Sequence, residues 1–251
     1  MSFLRLVLRG LRFYWRTHLG AFGCAAITAA VIVAALGVGD SVRASLAGVA
    51  EARVGRVAYA AHARDRMWRE DLAPTLAQRL DATVAGALLL SASIALPDGS
   101  AQVAQARVVG VDDTFWSLSP GGHAPLSPWP DDGIVVSERL ASRLGLRVGD
   151  PLVVRAERPG AVPRDAPMSS DAKATAVIAA DVAAVIDAQA FGSFALEIGQ
   201  LPPANAFLPL DRLQAAVAEP GRVNTLLVGA GAFDGDEITA AVAAGWRLDD
   251  D

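Results

Sequence analysis

The chain has 251 residues and one cysteine, Cys24. No intrachain disulfide can form, and cysteine usage is silent on redox compartment. Cys24 lies inside an apolar run, where a thiol behaves as a small hydrophobe. Histidine is also scarce. His18, His62 and His123 are scattered, and none has a second histidine or an acid at metal-ligand spacing. No G-x-S-x-G, Walker-type loop or strand-linked G-x-G-x-x-G occurs. "GVGDS" at 37–41 contains glycines but no lysine, and it follows an apolar helix rather than a strand. "DGDE" at 234–237 lacks the glycine and terminal glutamate of a calcium loop, and reads better as a helix start. Asp112-Asp113, Asp131-Asp132 and Asp249–Asp251 sit in expected loops or at the end, where solvated turns explain them. No catalytic residue, metal site or cofactor site is expected in this chain.

Acids are missing from the first 18 residues, which carry Arg5, Arg9, Arg12 and Arg16. That head is +4 while the whole chain is −5, leaving −9 on the remainder. A basic head on an acidic body suits a membrane surface. It does not suit nucleic acid, which needs a basic patch on the folded part. The arginines step by four, three and four and so share one stripe of a helix at 1–18. Apolar residues fill the rest, and Tyr14 and Trp15 fall where an interfacial aromatic belt would sit. The simpler alternative is a basic flank that only orients insertion.

Charge is absent from Leu19 to Gly39, a run long enough to span a bilayer, which needs about 20 apolar residues. A cleaved secretory signal is the rival, with Ala35-Leu36-Gly37 as a conceivable cleavage site. The length of the run and the long basic head favour a retained transmembrane helix at 19–39. The arginine asymmetry places the N-terminus in the cytoplasm of a plasma (inner) membrane protein and residues 40–251 outside. Ala21, Ala25 and Ala29 repeat every four residues, a spacing that lets another membrane helix approach. In so alanine-rich a run the repeat also arises by chance.

A second spanning run is absent. "TVAGALLLSASIAL", 83–96, is too short to span and is predicted as a strand. "PDGS" then turns it into a second strand, "AQVAQARVVGV". "DLAPTLAQRLDA" before it predicts a short helix, with Asp71 as its cap. Residues 117–133 and 157–173 are proline-rich loops. "ATAVIAADVAAVID", 174–187, is preferred as a strand for its Val and Ile content. A short strand, a helix near Asp211–Ala218, a strand Thr225–Val228 and a helix capped at Asp234 or Asp236 complete the pattern. The fold class is α+β: one N-terminal transmembrane helix followed by a mixed α+β extracytoplasmic domain.

The best-formed stretch is "IVVSERLASRLGLRVGDPLVVR", 134–155. Ser137 is its helix cap, Leu140, Ala141 and Leu144 face inward, and Gly145 stops the helix. Gly149-Asp150 turns the chain into the next strand.

Together the basic head, the helix running into "GVGDSVRASL" and this strand–helix–"LGLRVGD"–strand unit resemble FtsX/MacB-type permeases of ABC transporters. "VVGVDDTFWSLSP" and "AFLPLDRLQ" followed by "GRVNTLLV" are similar to that family's layout, and the likeness runs over about residues 1–229. The resemblance implies a MacB-like periplasmic core domain, a cytoplasmic ABC ATPase subunit that binds the ATP, and a second permease copy. It makes Leu140, Leu144, Gly145, Leu146, Gly149 and Asp150 fold residues and carries over no substrate residue. The family has further membrane helices after the core domain. The expectation is therefore a fragment of a longer permease or a truncated product. The alternative is a single-pass anchored domain that binds a partner outside the membrane.

Overall fold

A computed structural model describes residues 3–63, 66–159, 175–197 and 201–246, with backbone alone at 3–6 and 52. Most of the predicted loop 157–173, the side chain of Arg5 and the acids Asp249–Asp251 lie outside the described residues. Two units are distinct, residues 1–49 and 50–251.

The first unit is helical. Helix α1 runs Phe3–Phe13 and α2 runs Trp15–Val54. The N–H of Tyr14 still reaches the Gly10 carbonyl, and that of His18 the Tyr14 carbonyl, so the interruption at Tyr14 is slight. Arg5, Arg9 and Arg12 thus stand on α1, and Arg16 lies in the first turn of α2. Helix α2 has 40 residues and is apolar enough over Trp15–Glu51 to cross a membrane. At 1.5 Å per residue it is about 60 Å long, roughly twice a bilayer's hydrocarbon core. The helix therefore starts before Leu19 and continues well past Gly39, through "DSVRASLAGVAEARV", whose alanines, leucine and arginines are good helix formers. It stops at Gly55, left-handed at φ +58°, whose N–H caps the Glu51 carbonyl.

Among the described residues, the second unit holds the last turn of α2 and ten strands. β1 is Val57–His62, β2 Trp68–Arg69, β3 Val84–Ala95, β4 Gln102–Val111, β5 Gly133–Ser137 and β6 Pro151–Glu157. β7 is Thr175–Ile186, β8 Asn205–Pro209, β9 Arg222–Val223 and β10 Thr225–Gly229. The helices are α3 Leu72–Leu80, α4 Asp113–Ser117, α5 Glu138–Leu144, α6 Leu210–Val217 and α7 Gly235–Gly245.

Eight strands form one sheet in the order β1-β10-β3-β4-β8-β5-β7-β6, and β6 also pairs with β3. The last six of these strands therefore close into a ring. The length of β3 makes this possible. Its first residues, Val84–Ala87, pair with β10, and its last, Ala92–Ala95, pair with β6. Its other edge carries β4. The pairs β4–β8 and β5–β7 are parallel and the others antiparallel. Where β10 leaves β3, the buried Asn224 amide exchanges both hydrogen bonds with the Leu89 backbone at 2.8 Å, imitating one more strand residue.

Strand alternation sorts the core into two layers. Leu88, Leu90 and Ile94 of β3 join Ile134, Val136, Leu152 and Val154 with the helices α3, α5 and α6. Ala85, Ala87 and Leu89 face the other way, onto Phe115, Trp116, Phe191, Phe194 and Phe207.

The α+β class, the hairpin β3–β4, the strand at 174–187 and the helices near 72–80, 138–144, 211–218 and 235–245 match expectation. Two local readings are corrected. The Asp71 carboxylate does not cap α3 but binds the Arg69 guanidinium at 2.7 and 2.9 Å. Asp112 is no free loop acid, because its carboxylate accepts the Phe115 N–H at 2.9 Å and caps α4. Asp132 stays a solvated turn acid, 89% exposed, although it comes within 3.6 Å of the Arg212 guanidinium.

Candidate functional site

The anchor carries its side chains outward. Arg9, Arg12 and Arg16 are exposed, as are Val7, Leu8, Leu11, Phe13, Tyr14 and Trp15. The Arg16 guanidinium sits 5.9 Å from the Trp15 ring centre, and Phe13 and Tyr14 meet edge to face. Ala21, Ala25 and Ala29 share one exposed face of α2, and Cys24 is exposed beside it. The Thr28 hydroxyl returns its hydrogen to the Cys24 carbonyl, so this polar group is satisfied within the helix.

The end of α2 is built into the domain. Arg53 is buried, and the Arg56 N–H donates to the Leu118 carbonyl at 2.8 Å. A Cβ on Gly55 would stand 2.6 Å from that same carbonyl oxygen and 2.7 Å from the Phe191 ring. Only glycine supplies both the left-handed φ and the space. Phe191 in turn packs against Phe115 and Phe194, with ring centres 5.1 Å apart in each case. Within the second unit, residues 53–56 thus pack beside the aromatic layer.

The 134–155 unit is a set of satisfied turns. The Ser137 hydroxyl oxygen accepts from the N–H groups of Leu140, at 3.3 Å, and Asn205, at 3.0 Å. It therefore caps α5 and ties β5 to β8. Leu140, Leu144 and Leu146 are buried in the core layer that holds Leu88 and Ile134. Gly145 is left-handed at φ +68° and Gly149 at φ +92°. The Gly149 N–H donates to the Val182 carbonyl, and the Asp150 carboxylate accepts the Arg147 N–H at 2.7 Å, which closes the turn.

Among the described residues, the histidines and the acids expected to be free are not gathered in one place. No three metal-ligating side chains cluster among the described residues. His18 and His123 are exposed, and His62 shares a hydrogen with the Thr225 hydroxyl at 2.8 Å. Asp234 and Glu237 form a reciprocal capping box at the start of α7.

A polar groove of about 680 Å³ does lie across the outer face of β3, β4 and β6. Its floor includes Ser91 opposite Arg107 and Ser93 opposite Arg155. Glu157 and Glu197 stand at its rim, and Glu197 meets Arg107 at 3.2 Å. Sequence reasoning missed this groove, although the serines interrupting "ALLLSASIAL" mark an outward-facing polar row in an otherwise buried strand.

No known protein-family profile matches the chain, and no curated protein sequence does either. Among solved structures, the chain is similar to the extracellular domain of the noncanonic ABC-type transporter YknZ from Gram-positive bacteria. That match has 11% identity and a TM-score of 0.42, and covers 72% of this chain and 86% of the other. It is also similar to the periplasmic region of MacB from Actinobacillus actinomycetemcomitans. There the identity is 10% and the TM-score 0.44, with 71% of this chain and 72% of the other covered.

Proposed function

We propose that this chain is a permease subunit, or the N-terminal part of one, of an ABC transporter of the FtsX/MacB type. Its N-terminus would lie in the cytoplasm and its α+β unit outside the plasma membrane. A separate cytoplasmic ATPase would bind the ATP, and this chain would supply no cofactor and no catalysis. Its task would be mechanical: a displacement of α2 is passed to the domain that handles substrate or a partner.

One observation carries the mechanical part. Helix α2 runs without interruption from Trp15 to Val54, and its last turn is fixed by the buried Arg53 and the crowded Gly55. A helix that frayed into a flexible linker would lose such a displacement. Hydrogen-bonded helix ending in a packed joint does not. The "SERLASRLGLRVGD" string supplies the family part of the proposal.

The test is co-expression of the full chain with any ABC ATPase subunit found encoded beside it. A photo-crosslinker placed at Leu8 or Leu11 should capture that subunit, in a yield that changes between the ATP-bound and nucleotide-free states. Labelling with a membrane-impermeant thiol reagent, in a Cys24→Ala background, should reach a cysteine at Ala104 and spare one at Ser2. Capture of no ATPase, with the domain still outside, would leave a single-pass anchored domain that binds an external partner. In that second possibility the polar groove, with Arg107, Arg155, Glu157 and Glu197 along it, would be the surface offered to the partner.

A further inference from the structure

The groove on the outer face of β3, β4 and β6 holds charges that the fold leaves unused. On β6 the exposed Arg155 and Glu157 alternate with the buried Val154 and Ala156. Both therefore stand on one face, about 7 Å apart along the strand. Neither side chain makes a hydrogen bond or ion pair among the described residues. Arg107 differs, because Glu197 already meets it at 3.2 Å. The groove thus keeps one uncommitted cation and one uncommitted anion side by side.

An extra residue opens the floor next to them. Between the pairs Ala92–Ala106 and Ile94–Val103, β3 has only Ser93, whereas β4 has Ala104 and Gln105. Both of these are exposed and line the groove. A bulge of this kind breaks the ladder and re-aims side chains, and bulges are over-represented next to active sites. On its other side Ser93 stands opposite Arg155. Amide, hydroxyl and guanidinium therefore form one row across the groove.

The lining selects the class of ligand. Among the described residues it has no aromatic ring and no apolar side chain larger than Pro203. An aliphatic or aromatic molecule buries little apolar surface there. An anion alone would satisfy Arg155 while stripping water from Glu157, and a cation alone would do the reverse. Each leaves a covered charge without a partner, which is costly. A ligand with both charges matches both residues.

We infer that this groove binds a zwitterion, its anionic group on Arg155 and its ammonium on Glu157, with the two charges about as far apart as the two strand positions. A free solute and the headgroup of a zwitterionic lipid share that chemistry. The inference gives a ligand class to the groove of the second possibility above. It stands apart from any coupling to an ATPase, since the groove lies within the second unit.

The experiment uses the full chain in dodecyl maltoside micelles, without any ATPase. The probe is 5-aminopentanoate, whose extended chain separates its charges by about 6 Å. Pentanoate and pentylamine are the single-charge controls. Saturation-transfer NMR, corrected for empty micelles, should show the probe bound at least about fivefold more strongly than either control. Arg155→Gln and Glu157→Gln, with circular dichroism unchanged, should each reduce it to the level of the controls. Exchange of the two charges, Arg155→Glu with Glu157→Arg, should restore binding, because a zwitterion can bind end for end. Pentanoate binding as strongly as the probe would overturn the inference and assign the groove to anions alone. So would the absence of any specific signal, or a signal that survives both single substitutions. Binding that falls when phosphatidylethanolamine, but not phosphatidylglycerol, is added to the micelles supports the inference with a lipid headgroup as occupant. Binding unchanged by either lipid supports it with a free solute. Failure to capture an ATPase is a separate result and leaves the inference standing.

Discussion

The two units use the same residue types under opposite conditions. In the helical unit Phe22 is 73% exposed and Val33 68%, and no described residue covers them. In the α+β unit Phe115 is fully buried against four other aromatic rings. Apolar surface left open over a 40-residue helix is matched by lipid or by another helix, whereas the domain satisfies its own. The contrast teaches that stability of the domain and retention in the membrane are separately encoded.

The strongest way to break the contrast is to empty the domain's aromatic layer. Phe115→Ala should cost about 3–5 kcal/mol, as buried aromatic truncations do. Circular dichroism melting in detergent should show the domain transition moved well down, while the helical signal of α2 persists. Loss of both signals together would show that the units are not independent. The converse change, Val33→Arg, puts a charge in the middle of the span. It should cost about 3 kcal/mol of insertion. Carbonate extraction should release more of the protein, and the melting of the domain should not move.

Legibility in the sequence follows the same division. The span was legible because the uncharged run Leu19–Gly39 matches the thickness of a bilayer and exceeds what a buried core helix usually needs. Its extension to Val54 was not, since Asp40, Arg43 and Glu51 end the apolar run without ending the helix. In the domain, β3 could be read as a short apolar run ended by the "PDGS" turn, β4 from rough alternation and β7 from its Val and Ile content. β1 could not, because Val-Ala-Tyr-Ala-Ala-His is buried on neither face and shows no period. Ring closure through β3 and β6 is set by pairs far apart in sequence, such as Ile94 with Val154, which no local pattern reports. The groove escaped for the same reason: Arg107 and Arg155 converge only once β3 lies between them.

Two glycines of the second unit offer a finer cut. Gly55 and Gly145 are both left-handed, at φ +58° and +68°, but only Gly55 is crowded. Nothing stands within 4 Å of a Cβ on Gly145. Gly145→Ala should therefore cost only the backbone strain, about 1 kcal/mol. Gly55→Ala adds a collision with the Leu118 carbonyl and the Phe191 ring and should cost about 3 kcal/mol. Denaturant midpoints of the two variants test the difference. Equal losses would mean that Phe191 yields freely and that the helix end is not firmly held.

The smallest expected effect is at the far end of the β3–β4 hairpin, where Asp98 is fully solvent-exposed. Its carboxylate accepts the Ser100 N–H at 3.0 Å and the Ser100 hydroxyl at 2.7 Å. The Ser100 N–H is the larger cause holding its pKa below the usual 3.8, with the Ser100 hydroxyl second. A carboxyl whose folded pKa lies below its unfolded value favours the folded state above the unfolded pKa. That contribution is lost as pH falls through the folded one. Asp98→Asn should thus melt slightly below the parent at about pH 5 and converge with it in stronger acid. A gap that stays constant with pH would trace the loss to turn geometry rather than to the charge. Either way the change should stay within the hairpin and leave the melting of α2 untouched, since Asp98 reaches no residue beyond Ser100 in any described side-chain bond.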